Sequence, residues 1–169
     1  PPEFPDGKQP MINPVIVGAG PAGLFAALTL ALAGCKPIIL ERGFDVDRRK
    51  EHIDHFFQTR QLNVNSNLLF GEGGAGTWSD GKLFTRIRDP RMNFVMRSFV
   101  NGGANPNILY YSHPHIGSDK LPSVIASLRQ QIIDLGGSFQ WGSCVEKVLI
   151  RDQKCCGVIL DDHTVIEAP

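Results

Sequence analysis

The chain has 169 residues, 17 Lys plus Arg against 17 Asp plus Glu, and 42% hydrophobic residues. That length accommodates one domain or one large lobe. The zero formal charge excludes a strong electrostatic footprint for nucleic acid or for an anionic membrane surface, so neither is expected as a partner. The apolar stretch at residues 24–33 has about half the length of a membrane span, and no secretory leader pattern stands at the start, which makes the cytoplasm the default expectation.

Residues 1–11 hold Pro1, Pro2, Pro5 and Pro10 and no periodicity, and read as a linker or tail. A βαβ unit is expected over residues 12–43. Pro14–Val17 is a short apolar strand. It runs into Gly18-Ala19-Gly20-Pro21-Ala22-Gly23, then an Ala- and Leu-rich helix from Leu24 to Ala33, a stop at Gly34, and a second strand, Pro37–Leu40, ending in Glu41. Gly18 permits the sharp turn. Gly20 lets the backbone lie against a pyrophosphate, and Gly23 lets the helix pack closely. The start of the helix offers unpaired N–H groups and a partial positive charge to phosphate, which places Pro21 and Ala22 at the ligand as well. Glu41 follows Gly18 by 23 positions (41 − 18), near the spacing expected of a carboxylate that holds ribose hydroxyls. A dinucleotide-binding turn follows from these residues.

Asp45 or Asp47 is placed to cap a helix carrying Ile53, Phe56 and Phe57 on one face. Arg42, Arg48 and Arg49 are cations placed to neutralise the pyrophosphate or cover the adenosine; a solvated helix face accounts equally well for Arg48 and Arg49. A polar, Asn-rich stretch runs from Gln61 to Asn67. It leads into a second Gly-rich segment at residues 70–83, whose glycines let backbone wrap a ligand closely. Asp89-Pro90 opens a helix that buries Phe94, Val95, Phe99 and Val100 and ends at Gly102-Gly103. Ile108–Tyr111 reads as a strand. Ser118 or Asp119 starts a helix with Leu121, Val124, Ile125, Leu128, Ile132 and Leu135 on one face. A β-meander then fills the rest of residues 118–167, with Asp152-Gln153-Lys154 and Asp161-Asp162 as connections. Cys35, Cys144, Cys155 and Cys156 show no metal or redox spacing, and no metal site is expected.

Three features favour FAD as the dinucleotide. The glycine turn opens the folded part, Arg42 directly follows the ribose acid, and a strand at Val145 precedes a meander, a layout similar to flavoproteins of the glutathione-reductase type. The fold class is accordingly α/β, a Rossmann-like FAD-binding domain with a parallel sheet flanked by helices and a β-meander. The stretches V-I-V-G-A-G-P-A-G-L-F-A-A-L, L-E-R-G, F-G-E-G-G-A-G-T-W-S-D-G-K-L and P-H-I-G-S-D-K-L together resemble the bacterial uncharacterised FAD-dependent dehydrogenase family. Members of that family are much longer, so residues 12–169 read as part of an FAD-binding domain, incomplete at the carboxyl end.

The resemblance implies hydride transfer through flavin, a small-molecule substrate, and NAD(P)H as a candidate electron donor. It also implies that Gly74, Ala75 and Gly76 run beside the cofactor. Thr77, Ser79 and Asp80 would contribute hydroxyl and carboxylate contacts there, Gly81 backbone and Lys82 charge. Val145 would lay its backbone against the adenine. His113 and His115 are candidates for proton donors, and the catalytic residues are not identified by sequence. The alternatives are a flavin-containing tRNA-modifying or non-catalytic FAD-binding module, or an NAD-dependent dehydrogenase without flavin. The substrate and the oligomeric state are not encoded in any motif.

Overall fold

The structure is a computed structural model and describes residues 13–79, 81–83, 88–111 and 113–168. The Pro-rich tail and Asp80 lie outside those residues. The order of elements is β1 (Val15–Val17), α1 (Pro21–Leu32), β2 (Ile38–Glu41), α2 (Val46–Thr59), α3 (Met92–Asn101), α4 (Leu121–Asp134), β3 (Ser138–Trp141), β4 (Val145–Arg151), β5 (Lys154–Leu160) and β6 (Val165–Glu167). Single 3₁₀ turns occupy Ala75–Trp78 and Pro106–Leu109.

The first three strands form a parallel sheet in the order β1-β2-β3, with Ile39 opposite both Ile16 and Phe139. Neighbours along β2 point to opposite faces, and the two faces are covered differently. Ile39 joins Leu24, Leu28, Val124, Leu128 and Ile132 in a core made by α1 and α4. Leu40 and Ile38 instead pack against Val158, Leu160 and Ile166 of the antiparallel sheet β4-β5-β6. The expected α/β architecture is therefore present, with helices on one face of the parallel sheet and the meander on the other.

Helix ends follow from glycine placement. Gly34, Gly103 and Gly136 have φ values of +86°, +103° and +96°. After each, the next N–H reaches back to the third-last helical carbonyl: Cys35 to Leu30, Ala104 to Phe99 and Gly137 to Ile132. This satisfies carbonyls that a helix end leaves without partners. Asp45 caps α2 by accepting from the N–H groups of Asp47 and Arg48.

Four sequence expectations change. Ile108–Tyr111 is not a strand, because Asn105 caps a 3₁₀ turn that has Pro106 near its start. That turn buries Ile108 and leaves Tyr110 and Tyr111 outside. Helix α3 begins beyond Asp89-Pro90; the Asp89 carboxylate accepts from the Arg91 N–H in a turn ahead of it. Helix α4 starts at Leu121, after a turn at Gly117–Lys120, and its final apolar residue, Leu135, faces outward. Phe57 is also exposed; of Ile53, Phe56 and Phe57 only Ile53 is buried.

The first turn of α1 packs against the preceding glycine turn so closely that Gly23 tolerates no side chain. A Cβ on Gly23 would stand 1.9 Å from the Gly18 carbonyl oxygen and 3.4 Å from Ile16 Cγ2. Both the carbonyl and the helix are backbone, so neither can step aside cheaply. Gly23→Ala should therefore destabilise the protein by at least about 2 kcal/mol. A urea denaturation midpoint equal to the wild type would refute this.

Candidate functional site

The site begins with the sheet. The Gly18 N–H donates to Leu40 O at 2.7 Å, which hooks the turn after β1 onto β2. Glu41, at the end of β2, is almost wholly buried. Its Oε2 accepts from the Ala19 N–H at 2.7 Å and its Oε1 from the Gly43 N–H at 2.8 Å. The carboxylate is thus locked between the glycine turn and the following loop. A carboxylate offers about four lone-pair directions, so two remain for a ligand's hydroxyls.

The second Gly-rich segment lies directly on this turn. The Gly73 N–H donates to Ala19 O at 2.8 Å. A Cβ on Gly74 (φ +65°) would come within 3.4 Å of Pro21 Cδ and 3.7 Å of Gly20 Cα. The two glycine stretches therefore meet backbone to backbone, although Gly73 lies 50 positions beyond Gly23 (73 − 23). Beside them opens a cavity of about 300 Å³, lined by Gly18, Gly20, Glu41, Arg42, Phe70, Gly74 and Val145 among others. That volume is at the small end of ligand sites and suits one half of a dinucleotide. A Cβ on Gly18 or Gly20 would meet no protein atom within 4 Å. A space kept open beside two glycines is what a phosphate-bearing ligand requires. The residues present fit the ADP half of a dinucleotide.

Other expected site residues are placed differently. Arg49 is fully buried and does not line the cavity. Its Nε donates to Asn67 O, Nη1 to Glu72 O and Nη2 to Leu68 O, so it braces the loop before the second glycine segment. Burial pulls its pKa down to about 10, against the charges of Glu41 and Glu72. Arg48 lies over the Phe44 ring at the surface of α2. Thr77 is buried, and its hydroxyl donates to Glu72 O. The Ser79 hydroxyl donates to Gly76 O and accepts from the Gly81 N–H. The Thr77 hydroxyl thus shapes the segment from within, while Ser79 is exposed and braces its own turn. A local turn needs its own acceptors satisfied before it can present anything outward.

Lys82 pairs with His115 in an isolated antiparallel bridge, reinforced by Leu83 N–H to Pro114 O and Ile116 N–H to Gly81 O. This brings Lys82, His113 and His115 around a second cavity of about 320 Å³. A Cβ on Gly81 would lie 2.9 Å from Gly117 N, so this crossing also depends on glycine. Ala75 and Gly76 form the 3₁₀ turn between the two cavity-lining parts of the segment.

Sequence reasoning assigned no role to Glu72 or Arg129. Glu72 is fully buried; its Oε2 accepts from the Val46 N–H at 2.8 Å and from Arg129 Nη1 at 3.1 Å. It ties the second glycine segment to the start of α2 and to α4. Glu72 stands within the second glycine stretch, but its role there is revealed only by packing. Among the described residues no group of His, Cys, Asp or Glu could hold a metal, and no helix is long and apolar enough to cross a membrane.

Burial pushes the Glu72 carboxyl from 4.5 up to about 7, with Arg129 and the Val46 N–H pulling the other way. The folded state then holds this proton more tightly than the unfolded chain. The resulting stabilisation is full below about 4.5 and is lost as pH rises through about 7. Glu72→Gln removes that titration. Relative to the variant, the wild-type thermal midpoint should fall between pH 4.5 and 7; parallel curves would count against it.

Comparison with known proteins agrees with this geometry. Residues 11–54 match the FAD binding domain model. An uncharacterised protein of Clostridium beijerinckii is 47% identical over 153 residues, covering 90% of this chain and 29% of its own length. Thiamine thiazole synthase of Methanococcus maripaludis is 27% identical over 158 residues, covering 93% of this chain and 49% of that protein. Among solved structures, fructosyl amine:oxygen oxidoreductase (Amadoriase I) of Aspergillus fumigatus superposes with a TM-score of 0.53 at 16% identity, over 99% of this chain and 48% of that one. At that identity the match speaks for the fold. The chain spans under a third of its Clostridium relative and about half of the Methanococcus protein. Its amino-terminal βαβ unit is thus similar to an FAD binding domain, and most of the chain is similar to the uncharacterised Clostridium protein.

Proposed function

We propose that the chain supplies the ADP-binding part of an FAD-dependent oxidoreductase acting on a small organic substrate, with a reduced nicotinamide as candidate electron donor. The observation that carries this reading is the cavity in which both glycine segments, Glu41 and Val145 meet. The N–H groups of Ala22 and Gly23 open α1 without intrahelical acceptors, next to the cavity-lining Gly20, and a helix start of this kind attracts phosphate. Glu41 holds ribose hydroxyls on the lone pairs its backbone partners leave open. Val145 sets backbone beside the base. Bound flavin would supply the two-electron chemistry, while the protein binds, orients and excludes water. The FAD binding domain match supports flavin as the ligand.

A second reading, a nucleotide-binding enzyme without flavin, is favoured by one feature. The lining of the 300 Å³ cavity addresses only the ADP half, which NAD shares with FAD. The visible spectrum of the intact protein separates the two. Absorption between about 350 and 500 nm that stays with the protein on gel filtration is expected of the flavoprotein. A colourless protein that remains apo with excess FAD would overturn it.

Glu41 is a poor probe, because replacing it also breaks its bonds to Ala19 and Gly43. Gly20 separates binding from folding. Its backbone is extended (φ −70°, ψ 179°), a conformation open to any residue, and a Cβ there meets nothing within 4 Å. Gly20→Val should cost about 1 kcal/mol or less in stability, as a weaker helix cap. It should nonetheless abolish cofactor retention, since the side chain occupies the space for the pyrophosphate. Full loading of a folded Gly20→Val protein would contradict the assignment.

A further inference from the structure

We propose that residues 63–70 form an adenine clamp in which Asn65 positions Arg42 against the base; this rests on the dinucleotide reading above. The order of groups in ADP sets the direction. Phosphates belong at Gly18, Gly20 and Gly74, and the ribose at Glu41. The base follows one sugar further on, among Arg42, Leu69, Phe70 and Val145, which line the same cavity.

The loop is built before Asn65 contributes. Asn63 Oδ1 accepts from the N–H groups of Asn65 and Ser66, and Asn67 Oδ1 from those of Leu69 and Phe70. Asn67 Nδ2 donates to Asn63 O, and Arg49 holds the carbonyls of Asn67 and Leu68 from inside. A Cβ on Gly43 would lie 2.7 Å from Asn65 O and 2.7 Å from Gly71 Cα, so the loop is pressed against the end of β2 without slack.

The Asn65 side chain has a different use. Its Oδ1 accepts from Arg42 Nη2 at 2.7 Å and from Arg42 Nε at 3.3 Å. The guanidinium is thereby held over the Phe70 ring, 4.4 Å from its centroid. A guanidinium fixed over an aromatic ring leaves its other face free for stacking, and purines offer the larger surface to it. Asn65 is thus a positioning residue, and Arg42, backed by Phe70, is the surface that meets the base.

The experiment uses the intact protein freed of nucleotide and titrates ADP and UDP by calorimetry. The wild type should prefer ADP. Asn65→Ala should weaken ADP about tenfold, as expected for loss of a charge-assisted hydrogen bond that orders the plate. It should narrow the ADP-over-UDP preference and leave the thermal midpoint of the apo protein in place. Asn65→Asp, which still accepts from Arg42, should restore both affinity and preference. Unchanged ADP binding in Asn65→Ala, or equal losses for ADP and UDP, would overturn the clamp while leaving the dinucleotide reading intact. A wild type that binds neither ADP nor FAD would overturn both.

Discussion

The structure turns on one carboxylate. Glu41 takes the N–H of Ala19 on one oxygen and that of Gly43 on the other. Those two bonds set the glycine turn against the end of β2 in a place almost closed to water. A buried carboxylate without donors would be costly, so the turn and the loop must come to it. Everything that faces the cavity inherits its position from this arrangement: Gly20 through the turn, Arg42 and the 63–70 loop through Gly43, and Ser143 through its N–H bond to Glu41 O.

A second buried network supports the first. Arg49 reaches three carbonyls of residues 67–72, and Glu72 reaches back to Val46 and across to Arg129. The Arg49 guanidinium is tolerated inside because all three of its nitrogens find carbonyls. Here the two side chains do the work that regular secondary structure does elsewhere. The segment from Gln61 to Gly74 has no helix or strand of its own, yet it forms one wall of the cavity.

Much of the fold was legible because its signals are local. The glycine turn, the apolar run of α1, the period of α4 and the Gly stops of α1 and α3 each depend on a few adjacent residues. The structure adds partners that neighbours in the sequence do not show. Ile-Leu-Tyr-Tyr looks like a strand until Asn105 and Pro106 commit the chain to a turn. Arg49 looks like a phosphate ligand because it is basic and near the motif, and Thr77 and Ser79 look like cofactor contacts because they bear hydroxyls. Their partners are carbonyls brought close only by folding.

By itself the sequence determined that a dinucleotide turn exists, that an acid stands at the right distance from it, and that helices alternate with buried strands. These are properties of spacing and of backbone freedom along the chain. Tertiary structure alone decided that Gly74 lies on Gly20 and that Asn65 holds Arg42 over Phe70. Such contacts join residues far apart in the chain. Their physical cause is the close packing of two sheet faces and a loop braced by buried charge, which no local pattern records.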